Sequence, residues 1–180
     1  MSEYRRAYVN GGTFFFTVVT YRRQPILGHE PAIGLLRRAF KLAMTEYPFH
    51  IDAMVILPDH LHCIWTLPDN DCAFSERWRR IKAIFSRNYT GSIREDTSES
   101  MHRRDERGIW QRRFWEHLIR DEDDLNRHRD YIHYNPVKHG LTDSPVQWEH
   151  SSFRRFVEEG LYAEGWGQTP IKDLVEMNLE

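Results

Sequence analysis

The sequence lacks the features of a membrane protein, of a disulfide-stabilised secreted protein and of a strongly basic DNA-coating protein. Its 180 residues contain no run of about 18 apolar residues, and Met1 to Arg6 have no apolar signal-peptide core. The two cysteines, Cys63 and Cys72, are too few for a four-ligand zinc site and form no disulfide framework. The formal net charge is only -2. We therefore expect a cytoplasmic protein without a membrane segment.

The basic residues are unevenly distributed along the chain. Between Phe74 and Arg94 there is one acid, Glu76, and the cations are Arg77, Arg79, Arg80, Lys82, Arg87 and Arg94. We expect the arginines to lie on the outer face of a helix, and such a local basic helix on a nearly neutral protein is typical of a limited contact with a polyanion. A solvated helix face gives the same pattern, so charge alone leaves both interpretations open.

Hydrophobic periodicity predicts the order β-α-β-β-α-β followed by an added helix. Strands are predicted over residues 13–20, 49–57, 60–67 and 109–119, the last with an irregular lead-in. Helices are predicted over residues 31–47, 74–89 and 121–135, and we expect Asn135-Pro136 to close the last one. This order predicts an α+β, ferredoxin-like (split βαβ) antiparallel sheet with an added C-terminal helix. We expect one domain over residues 1–145 and an extension over residues 146–180 that packs on it or frays.

His60 and His62 flank Leu61 in the third predicted strand. Because strand side chains alternate, both imidazoles project from one face, with backbones about 6.5–7 Å apart. They can converge on one metal ion at about 2.1 Å, which leaves coordination positions for a phosphate oxygen. The chain has ten histidines, so a chance pair on a sheet face or in the core is the alternative.

In the last predicted helix, Tyr131 and Asn135 are four residues apart and share a face, with His128 nearby. A phenol has a pKa of about 10, so it needs a metal-activated phosphate to act as a nucleophile at neutral pH. Asn135 offers the metal a carbonyl oxygen, and oxygen ligands favour Mg²⁺ or Mn²⁺. Tyrosine attack on DNA would conserve the bond energy in a phosphotyrosine. Tyr134 lies one turn away, and periodicity does not choose between the two tyrosines.

Several segments resemble the single-tyrosine transposases of the HUH class. Residues 55–68 (VILPDHLHCIWTLP) resemble their HUH motif, and residues 109–141 (IWQRRFWEHLIRDEDDLNRHRDYIHYNPVKHGL) resemble their tyrosine helix. The opening SEYRRAYVNGGTFFFTVVTYRR and the later WEHSSFRRFVEEGLYAEGW resemble the bacterial REP-associated tyrosine transposases, from about Tyr4 to Trp166. The main departure is the long, charged loop predicted over residues 91–108, which concerns local DNA contacts.

The resemblance implies that His60 and His62 bind the metal and that Tyr131, the first tyrosine of DYIHYNP, is the nucleophile. Asn135 falls where related enzymes place a third, polar metal ligand. The implied substrate is single-stranded DNA in hairpins of repetitive extragenic palindromes, cleaved to a 5′-phosphotyrosine and a free 3′-hydroxyl. The chain is thus predicted to be a nucleoid-associated endonuclease and strand-transferase that uses Mg²⁺ or Mn²⁺. Related insertion-sequence enzymes are dimers that exchange tyrosine helices, so a monomer and a homodimer both stay open.

Cations outside the predicted metal site are candidates for phosphate contacts. These are Arg5, Arg6, Arg22 and Arg23 around the first strand, Arg79 and Lys82 on the basic helix, and Lys138 after Asn135. Aromatic residues before the tyrosine helix can stack on unpaired bases but more often belong to a core; they are Trp110, Phe114 and Trp115. Glu116 and His117 should point to opposite faces of a strand, so at most one faces the site.

Three other functions are compatible with parts of this pattern. A catalytically idle hairpin-binding protein would have the same fold without cleavage. A relaxase or replication initiator would use the same chemistry, but such enzymes usually carry further domains. An RNA-binding module of the RRM type also has a ferredoxin-like sheet, but its aromatic signature is absent here.

Overall fold

The computed structural model describes residues 8–93 and 107–179. No helix in these two ranges is both long and apolar enough to cross a membrane. Arg5, Arg6 and most of the loop predicted over residues 91–108 lie outside the described residues.

Within the described ranges the chain forms four strands and five helices. In chain order they are β1 Thr13–Val19, α1 Glu30–Glu46, β2 His50–Ile56, β3 His60–Thr66, α2 Phe74–Asn88, β4 Trp115–Leu118, α3 Glu122–Lys138, α4 Phe153–Glu158 and α5 Lys172–Glu176. The strands form one antiparallel sheet in the order β2-β3-β1-β4. This is the ferredoxin-like arrangement, so the predicted fold class is confirmed.

The strand register divides the side chains of the sheet between two faces. Thr17 pairs with His62 and Val19 with His60, and paired residues point to the same side of the sheet. We call this side the histidine face. The opposite side carries Phe14, Phe16 and Trp65, and α1 and α2 pack against it. Helix α3 and the residues that follow it cover the histidine face, so α3 is the helix added to the ferredoxin-like core.

Arg77 does not lie on the outer surface of α2, where we expected the arginines of this helix. It is 1% exposed, and its guanidinium donates two hydrogen bonds to the Asp71 carboxylate, at 2.7 and 3.1 Å. It also donates to the carbonyl of Pro48 at 2.7 Å. A buried charge is tolerated only when it is paired and hydrogen-bonded. Arg77 therefore anchors α2 to the preceding turn and is not available for DNA.

Helix α3 begins as predicted but ends later. The Asp121 carboxylate accepts a hydrogen bond from the Asp124 amide at 2.8 Å, which is an N-cap. The prediction that Asn135-Pro136 closes the helix is wrong, because the helix continues through Pro136 to Lys138. A proline in the last turn removes a single helical hydrogen bond, and the chain beyond it still bonds back to Asn135. Lys138 consequently stays on the same helix face as Tyr131.

The chain after α3 returns to the sheet. The His150 carbonyl accepts a hydrogen bond from Ile56 and the Ser152 amide donates to Met54, both at 2.8 Å, so this segment covers the outer edge of β2. Phe153, Tyr162 and Leu174 are buried with Tyr131 in one apolar cluster. The extension therefore packs on the sheet as far as Leu179, while the domain boundary at residue 145 stays a prediction.

The core around Trp78 gives a direct test of the fold. Trp78 is 1% exposed and stacks on Trp65 with ring centroids 4.3 Å apart. We expect Trp78→Ala to lower the free energy of unfolding by about 3–5 kcal/mol, because it leaves a cavity between α2 and the sheet. The neighbouring Arg79→Ala, at an exposed side chain, should change it by at most about 0.5 kcal/mol. Urea denaturation measures both, and equal losses would contradict the assignment of Trp78 to the core.

Candidate active site

The two predicted metal-binding histidines lie side by side at one end of the histidine face. The rings of His60 and His62 have centroids 4.9 Å apart, and both residues are buried. A third imidazole, that of His139 at the end of α3, lies with its centroid 5.2 Å from that of His60. The strand register and the end of the tyrosine helix thus bring three imidazoles together.

Asp59 determines which nitrogen of His60 carries the proton. Nδ1 of His60 lies 2.6 Å from the Asp59 carboxylate, which also accepts a hydrogen bond from Arg23 at 3.1 Å. Burial alone would raise the pKa of Asp59, but the hydrogen bonds and charges of His60 and Arg23 lower it to about 2. An ionised carboxylate can only accept, so Nδ1 of His60 is the donor. The lone pair of the neutral ring is then on Nε2, as in carboxylate–histidine pairs at metal centres.

Thr17 has the same effect on His62. Its hydroxyl donates to the carbonyl of Leu179 at 2.6 Å and lies 2.9 Å from Nδ1 of His62. A hydroxyl has one proton, and Thr17 gives it to Leu179, so Nδ1 of His62 must donate to Thr17. Burial, followed by the charges of His60, His139 and Lys138, holds the pKa of His62 well below its usual value. His62 is therefore a neutral imidazole with its lone pair on Nε2.

Tyr131 projects from α3 toward the histidine pair, and Asn135 lies one turn further along the same helix face. The Tyr131 ring is completely buried, with its centroid 5.2 Å from that of His62. The Lys138 ammonium lies 4.7 Å from the centre of the same ring. Asn135 is also completely buried, four residues after Tyr131. The predicted nucleophile and the predicted third ligand thus share one helix face.

The donor set fits a divalent cation. Among the described residues, Nε2 of His62 and both side-chain polar atoms of Asn135 are buried and make no hydrogen bond. Such buried groups are costly unless something binds them. A set of imidazole nitrogens and an amide oxygen is compatible with Mg²⁺ or Mn²⁺.

Tyr134 occupies a different environment. It belongs to the same apolar cluster as Tyr131, but its ring packs toward the extension, with its centroid 6.3 Å from that of Trp166. The helical rotation of about 100° per residue separates it from the face that carries Tyr131 and Asn135. Of the two tyrosines that the sequence left open, Tyr131 is therefore the one whose ring contacts a histidine of the pair.

The end of the extension covers Tyr131. The Leu179 amide lies 3.4 Å from the Tyr131 hydroxyl, a long contact, and the Lys138 ammonium donates to the carbonyl of Met177. The backbone of residues 177–179 therefore occupies the space in front of the phenol, and a phosphate can reach the phenol only after this segment moves.

A second group of ionisable residues lies between β4 and α3. His117, Asp124 and His128 place ligand atoms within 4.8 Å of one another, a spacing compatible with a metal ion. The Asp124 carboxylate lies 2.9 Å from Nε2 of His117 and accepts from the Arg120 side chain at 3.0 Å. Burial alone would raise the pKa of Asp124, but these partners lower it far below its usual value. This hydrogen-bonded cluster fastens the first turn of α3 to the edge strand.

The predicted phosphate-binding cations are dispersed. Arg22 is exposed in the turn after β1 with a positive φ of 53°, and its guanidinium lies over the Tyr21 ring. Arg79 is bonded to Glu76 on the outer face of α2, and Lys82 donates to the carbonyl of Gln111. Of the five predicted cations that the structure describes, Lys138 lies over the Tyr131 ring, and Arg23 is bonded to Asp59 beside His60.

Four residues of the site were not predicted from the sequence: Asp59, Thr17, His139 and Leu179. Asp59 precedes His60 directly, so its proximity was readable from the motif. Thr17 lies 45 residues from its partner His62, and only the β1–β3 register brings the two together. The contact of Leu179 with Tyr131 has no local sequence signal.

The chain falls in the class of IS200-like transposases, since residues 9–135 match the family described as "Transposase IS200 like". The curated REP-associated tyrosine transposase of Escherichia coli strain K12 is 45% identical over 92% of this chain and 91% of its own length. The curated putative REP-associated tyrosine transposase of Haemophilus influenzae is 44% identical over 94% of this chain and 96% of its own length. The chain belongs to the REP-associated tyrosine transposases.

A solved structure supports this assignment at the level of the fold. It is described as the structure of a REP-associated tyrosine transposase bound to a REP hairpin. It is 43% identical to this chain, covers 96% of both chains and superposes with a TM-score of 0.76. The similarity therefore includes the region of the extension as well as the sheet.

The hydrogen bond from His62 to Thr17 predicts a measurable effect on metal binding. We expect Thr17→Val to weaken Mn²⁺ binding by about 10–100-fold, because Nδ1 of His62 loses the acceptor that keeps its lone pair on Nε2. Thr17→Ser keeps the hydroxyl and should bind within a few-fold of the parent protein. Isothermal titration with Mn²⁺ in the absence of DNA measures the affinity. Equal affinity of the valine and serine variants would show that Thr17 does not orient His62.

Proposed function

We propose that this protein cleaves and rejoins single-stranded DNA beside hairpins of the repetitive extragenic palindrome type. The observation that carries the proposal is the placement of Tyr131 next to His62 on one face of the sheet, with the ring centroids 5.2 Å apart. The substrate class rests on the similar protein described as bound to a REP hairpin. If its substrates are hairpins of a bacterial chromosome, the protein acts in the cytoplasm, at the nucleoid.

His60 and His62, through Nε2, and Asn135, through its amide oxygen, would hold a divalent cation, Mg²⁺ or Mn²⁺. Such an ion, when bound, supplies Lewis-acid stabilisation of the charge on the scissile phosphate. Asp59 and Thr17 orient the two rings from behind, so the ligand nitrogens need no rearrangement before binding.

Tyr131 then exchanges one phosphodiester for another. Its oxygen forms a bond to the phosphorus while the bond from phosphorus to the 3′ oxygen breaks. The products are a 5′-phosphotyrosine and a 3′-hydroxyl, which takes up a proton as the phenol loses one. The Lys138 ammonium lies beside the Tyr131 ring, where it can offset the negative charge that develops on the reacting oxygens. Strand transfer is the reverse step with a different 3′-hydroxyl.

All of these groups come from one chain. Tyr131 of α3 contacts His62 of the same protomer, so the site needs no tyrosine helix from a second copy. This favours a tyrosine that acts in cis, and it is compatible with an active monomer.

A second candidate function is a hairpin-binding protein that does not cleave. The observation in its favour is the contact of residues 177–179 with Tyr131 and Lys138, which closes the space in front of the nucleophile. If the protein cleaves DNA, displacement of residues 177–179 should permit formation of the covalent adduct. If it only binds hairpins, displacement of this segment should produce no adduct.

The nucleophile is tested by a matched pair of tyrosine variants. Tyr131→Phe removes only the hydroxyl, so it should abolish the covalent adduct with a labelled hairpin oligonucleotide in Mn²⁺ while hairpin binding stays. Tyr134→Phe, in the same helix but packed near Trp166, should keep at least half of the adduct. Denaturing gels measure the adduct, and mass spectrometry locates it. A nucleotide attached to Tyr134, or an adduct formed by Tyr131→Phe, would assign the chemistry to another residue.

The metal role is tested by the histidine pair. His60→Ala or His62→Ala should reduce cleavage by at least about 100-fold, a loss comparable to that of other electrostatic groups in catalysis. Hairpin affinity should change little, because hairpin recognition uses other contacts. His150→Ala, a histidine at the β2 edge, is the control. Full cleavage by either site variant, or full activity with a chelator present, would rule out a metal bound by these residues.

The covering segment is tested by truncation. Removal of residues 171–180 deletes α5 and the contacts to Tyr131, Lys138 and Thr17. We expect faster adduct formation at equal hairpin occupancy, since the phosphate no longer displaces Leu179. The same truncation with Tyr131→Phe is the control and should form no adduct. A truncated protein that binds the hairpin but forms no adduct would favour the non-cleaving function.

A further inference from the structure

A groove of about 810 Å³ lies between α2 and the segment of residues 107–114 that leads into β4. Arg79 and Lys82 line one wall, and Arg107 and Arg112 line the other. Phe114 and Trp110 contribute aromatic surface between the walls. None of the functions assigned above to the histidine face uses this groove.

The groove is positively charged although the protein as a whole is not. Five of its described lining residues are arginine or lysine and none is acidic, while the whole chain has a net charge of -2. Glu76, the acidic residue of α2, is bonded to Arg79. Such a local concentration of one sign in a concave surface attracts a polyanion.

The aromatic side chains of the groove indicate which kind of polyanion it binds. Phe114 is half-buried, with the Lys82 ammonium 5.7 Å from its ring centre. A cation beside an aromatic ring suits a nucleotide, because the base stacks on the ring while the cation contacts the phosphate. In a duplex stem the neighbouring base pairs cover the faces of each base. An unpaired base has both faces open, so it is the base best able to stack on Phe114.

The groove and the predicted catalytic residues lie on opposite faces of the sheet. Phe114 packs with its ring centroid 5.8 Å from that of Phe16, on the face covered by α1 and α2, whereas Tyr131 covers the histidine face. A nucleotide in the groove is therefore not the one whose phosphate Tyr131 attacks. Strand β4 forms the edge of the sheet between the two positions, and exposed Arg113 and Arg120 lie at its two ends.

We infer that this groove binds an unpaired nucleotide of the DNA next to the hairpin, and that the strand passes around β4 to reach the histidine face. The inference rests on the proposed function and deepens it, because it gives the recognised strand a second attachment point. The phosphate would replace the Gln111 carbonyl that Lys82 now contacts at 2.8 Å. This exchange costs little, because the hydrogen bond is exposed to solvent.

The test compares a hairpin oligonucleotide that has unpaired extensions at both ends with the same hairpin made blunt. We expect Lys82→Gln combined with Arg112→Gln to weaken binding of the extended hairpin by about tenfold or more, and to lower the salt slope by about 0.7 for each cation. Binding of the blunt hairpin should change less than twofold. Lys41→Gln, an exposed lysine on α1, is the matched control and should bind both as the parent does.

Fluorescence anisotropy measures these affinities, and 5-iododeoxyuridine in the extension adds an independent readout. Photocrosslinks are expected at Phe114 or Trp110. The single variant Arg112→Gln repeats the affinity test while Lys82 keeps its hydrogen bond to the Gln111 carbonyl. The inference would be overturned if the variants lost equal affinity for the extended and blunt hairpins, or lost none for either. Crosslinks that lie outside the groove would also overturn it. Adduct formation at Tyr131 is scored separately, so a protein that binds the extension but does not cleave would contradict only the proposed chemistry.

Discussion

The hydrogen bonds at Nδ1 of His60 and His62 are the interactions on which the rest of the site depends. Each ring is buried, so its polar atoms must be satisfied within the protein or by a ligand. Asp59 and Thr17 each occupy one nitrogen and leave Nε2 directed to the other side. The β1–β3 register places Thr17 opposite His62, and a slip of one residue would turn both imidazoles to the opposite face.

Local sequence patterns predicted the fold well because the elements are strongly periodic and clearly punctuated. The first three strands, the first two helices and the Asp121 cap lie within a few residues of their predicted positions. The fourth strand is shorter than predicted, because it begins at Trp115 and not at residue 109. Two errors had local causes. Arg77 was assigned to the surface by its charge, although Asp71 satisfies it in the interior. Pro136 was read as a helix end, although a proline in a last turn removes only one hydrogen bond.

The candidate site was predictable only where its residues are close in sequence. His60 with His62, and Tyr131 with Asn135, are i,i+2 and i,i+4 pairs whose shared faces follow from strand and helix geometry. The choice of Tyr131 over Tyr134 needed the resemblance, since both fit the helix. Thr17, His139 and Leu179 come from distant segments. Their contacts depend on the strand register, on how α3 packs against the sheet and on the return path of the extension, none of which a pattern of single residues encodes.

The segment that covers the edge of β2 has a consequence for how the protein behaves at high local concentration. An open edge strand exposes unpaired amides and carbonyls that can recruit the strand of another molecule. Here the amide of Ile56 and the carbonyl of Met54 are already bonded to residues 150 and 152 of the same chain. Sheet-to-sheet joining of two copies through β2 is thereby blocked. Two copies of the protein brought close together would therefore stay separate at this edge, which favours solubility at high local concentration.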